Sequence, residues 1–247
     1  MTKKLSILIV VALFAAPASA ATFGDGGVAL QDVLDDITTA PVAGDSSVDV
    51  TTDEIVDDFD SLWEITGAGG SVSTMIIELA SLKNTNLFGV YDPTTMTTVQ
   101  LFSGLEGAGA QVLLSIGVDG SVSVNFADTG TDFAGNKFGF YLDSSAGGGG
   151  GFFYSDTDLN SDDADHLYVY QGTDTDTVQL PGKAAGLWTD NEFVLAWEDL
   201  DFASTDADYT DMVLMIESVL PIPVPGAALL GLLGLGAAGR KLRRRRA

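Results

Sequence analysis

The chain has 247 residues, no cysteine, and 11 Lys+Arg against 35 Asp+Glu, which sets the scale of one strongly acidic domain. Every acid lies between Ala21 and Ser218, where only Lys83, Lys137 and Lys183 oppose them; the other cations sit at the two ends of the chain. Without clustered cations the body is not built for nucleic acid, and without thiols it has no disulfide, zinc–thiolate or iron–sulfur chemistry.

Lys3 and Lys4, the apolar run Leu5 to Ala16 and Ala18-Ser19-Ala20 read as a cleaved secretory signal over residues 1–20. The body, residues 21–218, opens with Val28, Leu30, Val33, Leu34 and Ile37 at helical spacing, which predicts one short amphipathic helix over Gly27 to Ile37. An acidic, Thr-rich stretch follows to Asp60, with a short strand expected near Ser47 to Thr51. From Leu62 onward short strands are expected: Ser71 to Leu79, Leu87 to Tyr91, Thr97 to Phe102, Lys137 to Leu142, Gly151 to Tyr154, Leu167 to Gln171, Thr177 to Leu180, Glu192 to Trp197 and Asp211 to Val219. Ile116, Val118, Val122, Val124 and Phe126 alternate around Asp119-Gly120, a β-hairpin pattern with a turn that tolerates positive φ. This predicts an all-β fold, an antiparallel β-sandwich or jelly roll with one short N-terminal helix. The run Gly147 to Gly151 reads as a loop between strands.

Two acidic constellations carry oxygen ligands suited to a hard cation such as calcium. In the first, Asp156, Asp158, Asn160 and Asp162 alternate along a loop, with Asp165 in reserve. In the second, Asp199, Asp206, Asp208 and Asp211 fall at one end of a hairpin. For both, a solvated acidic loop is the competing reading. His166, the only histidine, lies within the acidic region and is expected to act as a structural hydrogen-bond donor. No G-x-S-x-G elbow is present. Trp63, Trp188 and Trp197 belong either to the core or to a sugar platform.

Trp197-Glu198-Asp199 followed by Asp206, Asp208, Tyr209 and Asp211 resembles the hallmark of an uncharacterised bacterial extracellular domain, with Thr210 where an Asn is usual. The likeness extends upstream through Phe133-Ala134-Gly135-Asn136 and Val178 to Gly182, and it implies an all-β architecture without a known reaction. At the other end, Pro221, Pro223 and Pro225, the apolar run Gly226 to Gly239 and the block Arg240 to Arg246 resemble a PEP-CTERM sorting tail, the variant with a Val-Pro-Leu-Pro-like core. The resemblance implies that residues 219–247 form a membrane-spanning sorting helix with flanking motifs, recognised and removed by an exosortase at the inner membrane of a Gram-negative bacterium.

The expectation is a non-enzymatic protein, exported by way of signal peptidase and exosortase to the cell surface or extracellular matrix, and rigidified by calcium. The alternative is a carbohydrate-binding module of the exopolysaccharide matrix.

Overall fold

The computed structural model describes residues 28–66, 71–77, 85–148, 150–205 and 207–223. The signal segment, Asp206, Pro225 and the expected sorting helix lie outside these residues. In chain order the elements are α1 (Leu30–Ile37), β1 (Thr38–Ala40), a 3-10 turn (Asp57–Phe59), β2 (Leu62–Ile65), β3 (Ser71–Ile77), β4 (Leu87–Tyr91), β5 (Thr98–Phe102), β6 (Gln111–Ile116), β7 (Ser121–Val124) and β8 (Ala127–Asp132). They continue with β9 (Lys137–Asp143), β10 (Phe152–Tyr154), a 3-10 turn (Thr157–Leu159), β11 (Leu167–Gln171), β12 (Thr177–Val178), β13 (Gly186–Leu187), β14 (Glu192–Trp197), β15 (Met212–Glu217) and β16 (Val219–Ile222).

One sheet has the order β16-β2-β9-β4-β5, with β10 also on β9; the other runs β11-β14-β15-β3-β6-β7-β8. All their pairings are antiparallel. Their inner faces meet in one core, in which Trp63 lies edge-on to Phe193 at 5.0 Å and Phe88 edge-on to Trp197 at 6.2 Å. The fold is thus all-β and sandwich-like, with one α-helix among the described residues, as the strand pattern predicts.

The unbroken apolar run of β14 has a physical cause. Phe193, Leu195 and Trp197 enter the core between the sheets, while Val194 and Ala196, on the opposite face, pack with Leu30, Val33, Leu34 and Ile37 of α1 in a second core. Eight residues are too few for a helix to be stable alone, so burial of that stripe holds α1 in place. A small sheet, β1-β12-β13, flanks this second core. Trp63, Trp188 and Trp197 are all fully buried, so each has the core role.

Several local expectations change. Ser47 to Thr51 forms turns rather than a strand, because the Asp49 carboxylate accepts from Thr51 N and Oγ1 and bends the chain. The hairpin of β6 and β7 exists, but its loop takes in Gly117 to Gly120, so Val118 is solvent-exposed. Phe126, expected to face inward, is 87% exposed. It shares with Asn125 a two-residue turn in which both φ angles are positive, 52° and 65°, and this turn leads into β8. At the C-terminal side, β16 pairs Pro221 with Trp63 on the edge of its sheet, where a proline costs no ladder bond. The first residues of the expected tail therefore serve the sheet. No helix among the described residues is long and apolar enough to cross a membrane.

Candidate metal centres

β11 and β14 are paired with Leu167 opposite Trp197, and β14 and β15 with Trp197 opposite Met212. Asp165, Glu198, Asp199 and Asp211 thus flank the same end of the large sheet. Beyond a strand the alternation of side chains lapses, so Glu198 and Asp199 can both join Asp211 although they are neighbours in sequence. Carboxylate oxygens of Glu198, Asp199 and Asp211 lie within 4.8 Å of one another. Glu198 and Asp199 are buried, at 0% and 1% exposure.

Backbone amides and an asparagine from the facing sheet hold this group in place. Asp211 Oδ2 accepts from Asp199 N at 2.9 Å, and Glu198 Oε1 from Leu200 N at 3.1 Å. Asn86, just before β4 on the opposite sheet, donates from Nδ2 to Asp199 Oδ2 at 2.8 Å. The same amide's Oδ1 is fully buried and has no hydrogen-bond partner. Ser144 Oγ donates to the Asp199 carbonyl at 2.6 Å, a second tie between the sheets. Asp208, also buried, accepts from Thr210 N and Oγ1 and adds its charge to the neighbourhood of Asp211. Burial, then repulsion from Asp199 and Glu198, pushes the Asp211 carboxyl up to about 9. Two carboxylates at this separation repel by about 3 kcal/mol at an effective dielectric of ~20. Three such pairs approach the ~5–15 kcal/mol stability of a whole domain, so the group calls for positive charge or protons.

Of the residues expected here, Asp199 and Asp211 converge and Asp208 contributes only its nearby charge; Glu198 joins the pair, and its place in Trp197-Glu198-Asp199 is the available signal. The loop after β10 behaves differently, since its oxygens serve the loop itself. Asp156 caps the 3-10 turn by accepting from Asp158 N, and Asp158 is exposed. Asn160 is buried, with Oδ1 accepting from Tyr154 N and Nδ2 donating to Tyr154 O and Ala164 O. Asp162 accepts from Phe202 N and pairs with His166 Nε2 at 3.1 Å. The five residues therefore do not gather around one point; only Asp165 of this set enters a carboxylate group, with Glu54 and Asp57.

His166 is fully buried and stacked on Phe153 at 3.6 Å, with Nδ1 donating to Glu198 O and Nε2 facing Asp162. It ties the loop after β10 to the end of β14 as a structural strut. Two surface concavities, one bordered by Gln111, Lys183 and Glu217 and the other by Gln31, Asp35 and Asp49, involve neither group.

No curated protein and no solved structure matches the chain. Residues 133–219, which begin at the upstream limit of the resemblance read from the sequence and contain Asp165, Glu198, Asp199 and Asp211, match a domain of unknown function (DUF4114).

Proposed function

We propose that this chain is a non-enzymatic exported protein of the bacterial cell surface or extracellular matrix, delivered through its PEP-CTERM-like tail and held rigid by calcium. The observation that carries the calcium reading is the carboxylate set Glu198, Asp199 and Asp211, with Asn86 held beside it by its hydrogen bond to Asp199. It combines carboxylates within 4.8 Å of each other with a buried amide oxygen that accepts no hydrogen bond. Oxygens bound to one calcium at ~2.3–2.6 Å lie no more than about 5 Å apart. An ion there neutralises the carboxylates and ties the end of the seven-stranded sheet to the start of β4 on the six-stranded sheet that faces it. The only histidine is confined between Phe153, Glu198 and Asp162, which supports a structural role over hydrolysis. A carbohydrate module would need exposed aromatic faces, and the three tryptophans are buried.

Thermal melts of the purified chain with calcium and with chelator test the metal reading. Several degrees of stabilisation by calcium, lost in Asp199→Asn/Asp211→Asn, is the expected result; coincident melts would overturn it. Mass spectrometry of the mature protein from its native cell tests the sorting reading. A surface-located form that still ends in the arginine block would defeat that part.

A further inference from the structure

A second carboxylate group lies outside the constellations legible in the sequence. Glu54, Asp57 and Asp165 bring carboxylate oxygens within 4.8 Å of one another. Glu54 and Asp165 are half-buried and Asp57 is exposed, so the group has one wet side. Behind it stands Asp60, only 1% exposed, whose Oδ2 has no hydrogen-bond partner. Its charge neighbours are Asp165, Asp57 and Glu54, while its own oxygens fall outside the 4.8 Å set that those three make. The set offers three converging carboxylates, with the buried Asp60 behind them, and no nitrogen or sulfur; the exposed Asp57 leaves room for water. That is a donor set for a hard cation with a large, flexible shell.

The backbone around the group is anchored independently of any ion. Glu54 bridges Tyr170 and Ile55 N donates to Val169 O at 2.9 Å, so this segment lies along β11, the edge strand of the large sheet. The 3-10 turn Asp57–Phe59 then carries the chain to Asp60, whose carbonyl accepts from Trp63 Nε1 at 2.6 Å. Asp165 is fixed from the other side, its Oδ1 accepting from Leu167 N and its carbonyl from Tyr209 OH. The four carboxylates are therefore held together by neighbouring structure despite their mutual repulsion.

We infer that Glu54, Asp57 and Asp165, backed by the buried charge of Asp60, form a second calcium site, which pins the segment ahead of β2 onto the edge strand β11. Two of its three ligands precede residues 133–219, the stretch that matches the domain of unknown function, and one lies within it. The ion thereby joins the N-terminal part of the chain to that stretch and covers an edge otherwise open to pairing with another chain. The site shares no ligand with Asn86, Glu198, Asp199 and Asp211, so each stands or falls alone.

Calcium titration of the chelator-stripped full chain by calorimetry tests it, with calcium alone as the probe. Two binding steps are expected in the parent. Glu54→Gln/Asp60→Asn should lose one, and Asp199→Asn/Asp211→Asn should lose the other. The stripped Glu54→Gln/Asp60→Asn variant should melt no lower than the stripped parent, because two repelling charges are gone. Hydrogen exchange at the Ile55 amide supplies a local readout: calcium should slow it at least tenfold in the parent and leave it unchanged in that variant. If the double variant fails to fold, Glu54→Gln alone decides, since this side chain is half-exposed; one step weakened at least tenfold supports the site. Calcium binding unaltered by the Glu54 and Asp60 substitutions overturns it, even if the Asp199 and Asp211 substitutions abolish a step. A parent that binds no calcium overturns both sites.

Discussion

Asp211 and Glu54 show what burial does to a carboxyl when its neighbours are also acids. Burial and then Asp199 and Glu198 push Asp211 up to about 9, and burial and then Asp57 push Glu54 up to about 7. Asp60 and Asp165 are raised as well, first by burial and then by surrounding carboxylates. In the metal-free protein the folded state thus binds protons that the unfolded chain releases near pH 4. The stability from this protonation is complete below the unfolded values and is lost as pH rises through the folded ones, over roughly pH 4 to 9. Melts of chelator-treated protein should therefore fall steadily from pH 5 to pH 9, and saturating calcium should flatten the slope. A flat profile without metal would contradict the buried charge set. Asp211→Asn separates the two roles of that side chain. The amide oxygen can still accept from Asp199 N and needs no proton, so near neutral pH the stripped variant should be more stable than the stripped parent, which must take up a proton at this buried carboxyl to fold. Its stabilisation by calcium should shrink at the same time. A variant less stable than the parent under both conditions would mean that the ionised carboxylate supports the fold without metal.

At the scale of elements, the legible parts were those whose pattern depends on one neighbour. The helical stripe Leu30, Val33, Leu34 and Ile37 and the strands Leu87–Tyr91, Leu167–Gln171 and Glu192–Trp197 fall where periodicity and strand composition put them. Periodicity says which residues are buried but not against what, so the second core on the outer face of β14 was not readable. At Phe126 the alternating apolar run points to a strand, but the residue sits in a turn. The chain instead turns at Asn125-Phe126, because β8 needs to pair back onto β7. Glu54 and Asp57 were invisible as ligands because their partner Asp165 is distant in sequence and only the β11 register brings it near. The turn yields a prediction of its own. Phe126 has φ 65° and buries almost nothing, so Phe126→Gly should relieve the left-handed backbone cost and stabilise by about 1 kcal/mol. Leu195→Ala, in the core between the sheets, should instead cost about 2–5 kcal/mol. Chemical denaturation of both variants checks the contrast, and destabilisation by Phe126→Gly would show that the ring packs on something.

For the whole molecule the dominant fact is charge. Residues 21–218 hold all 35 acids and three lysines, and between described residues the one ion pair is His166 with Asp162. Such a body is opposed by diffuse self-repulsion as well as by its two local carboxylate groups, and these respond differently to ions. Diffuse repulsion is screened by any electrolyte, with a Debye length falling from ~10 Å at 0.1 M to ~3 Å at 1 M. The local groups are relieved only by an ion that fits. Stripped protein should therefore gain modest stability from molar sodium chloride. Millimolar calcium should raise its melting temperature by several degrees more than magnesium at equal ionic strength, because magnesium demands a tight octahedron and sheds its water reluctantly. If calcium and magnesium act alike, and no better than sodium chloride of matched ionic strength, then screening accounts for the whole effect. The acidic body would then be a solvated polyanion whose carboxylate groups share protons instead of ions. If calcium stands apart, its advantage should divide between Asp199→Asn/Asp211→Asn and Glu54→Gln/Asp60→Asn, and vanish when all four substitutions are combined.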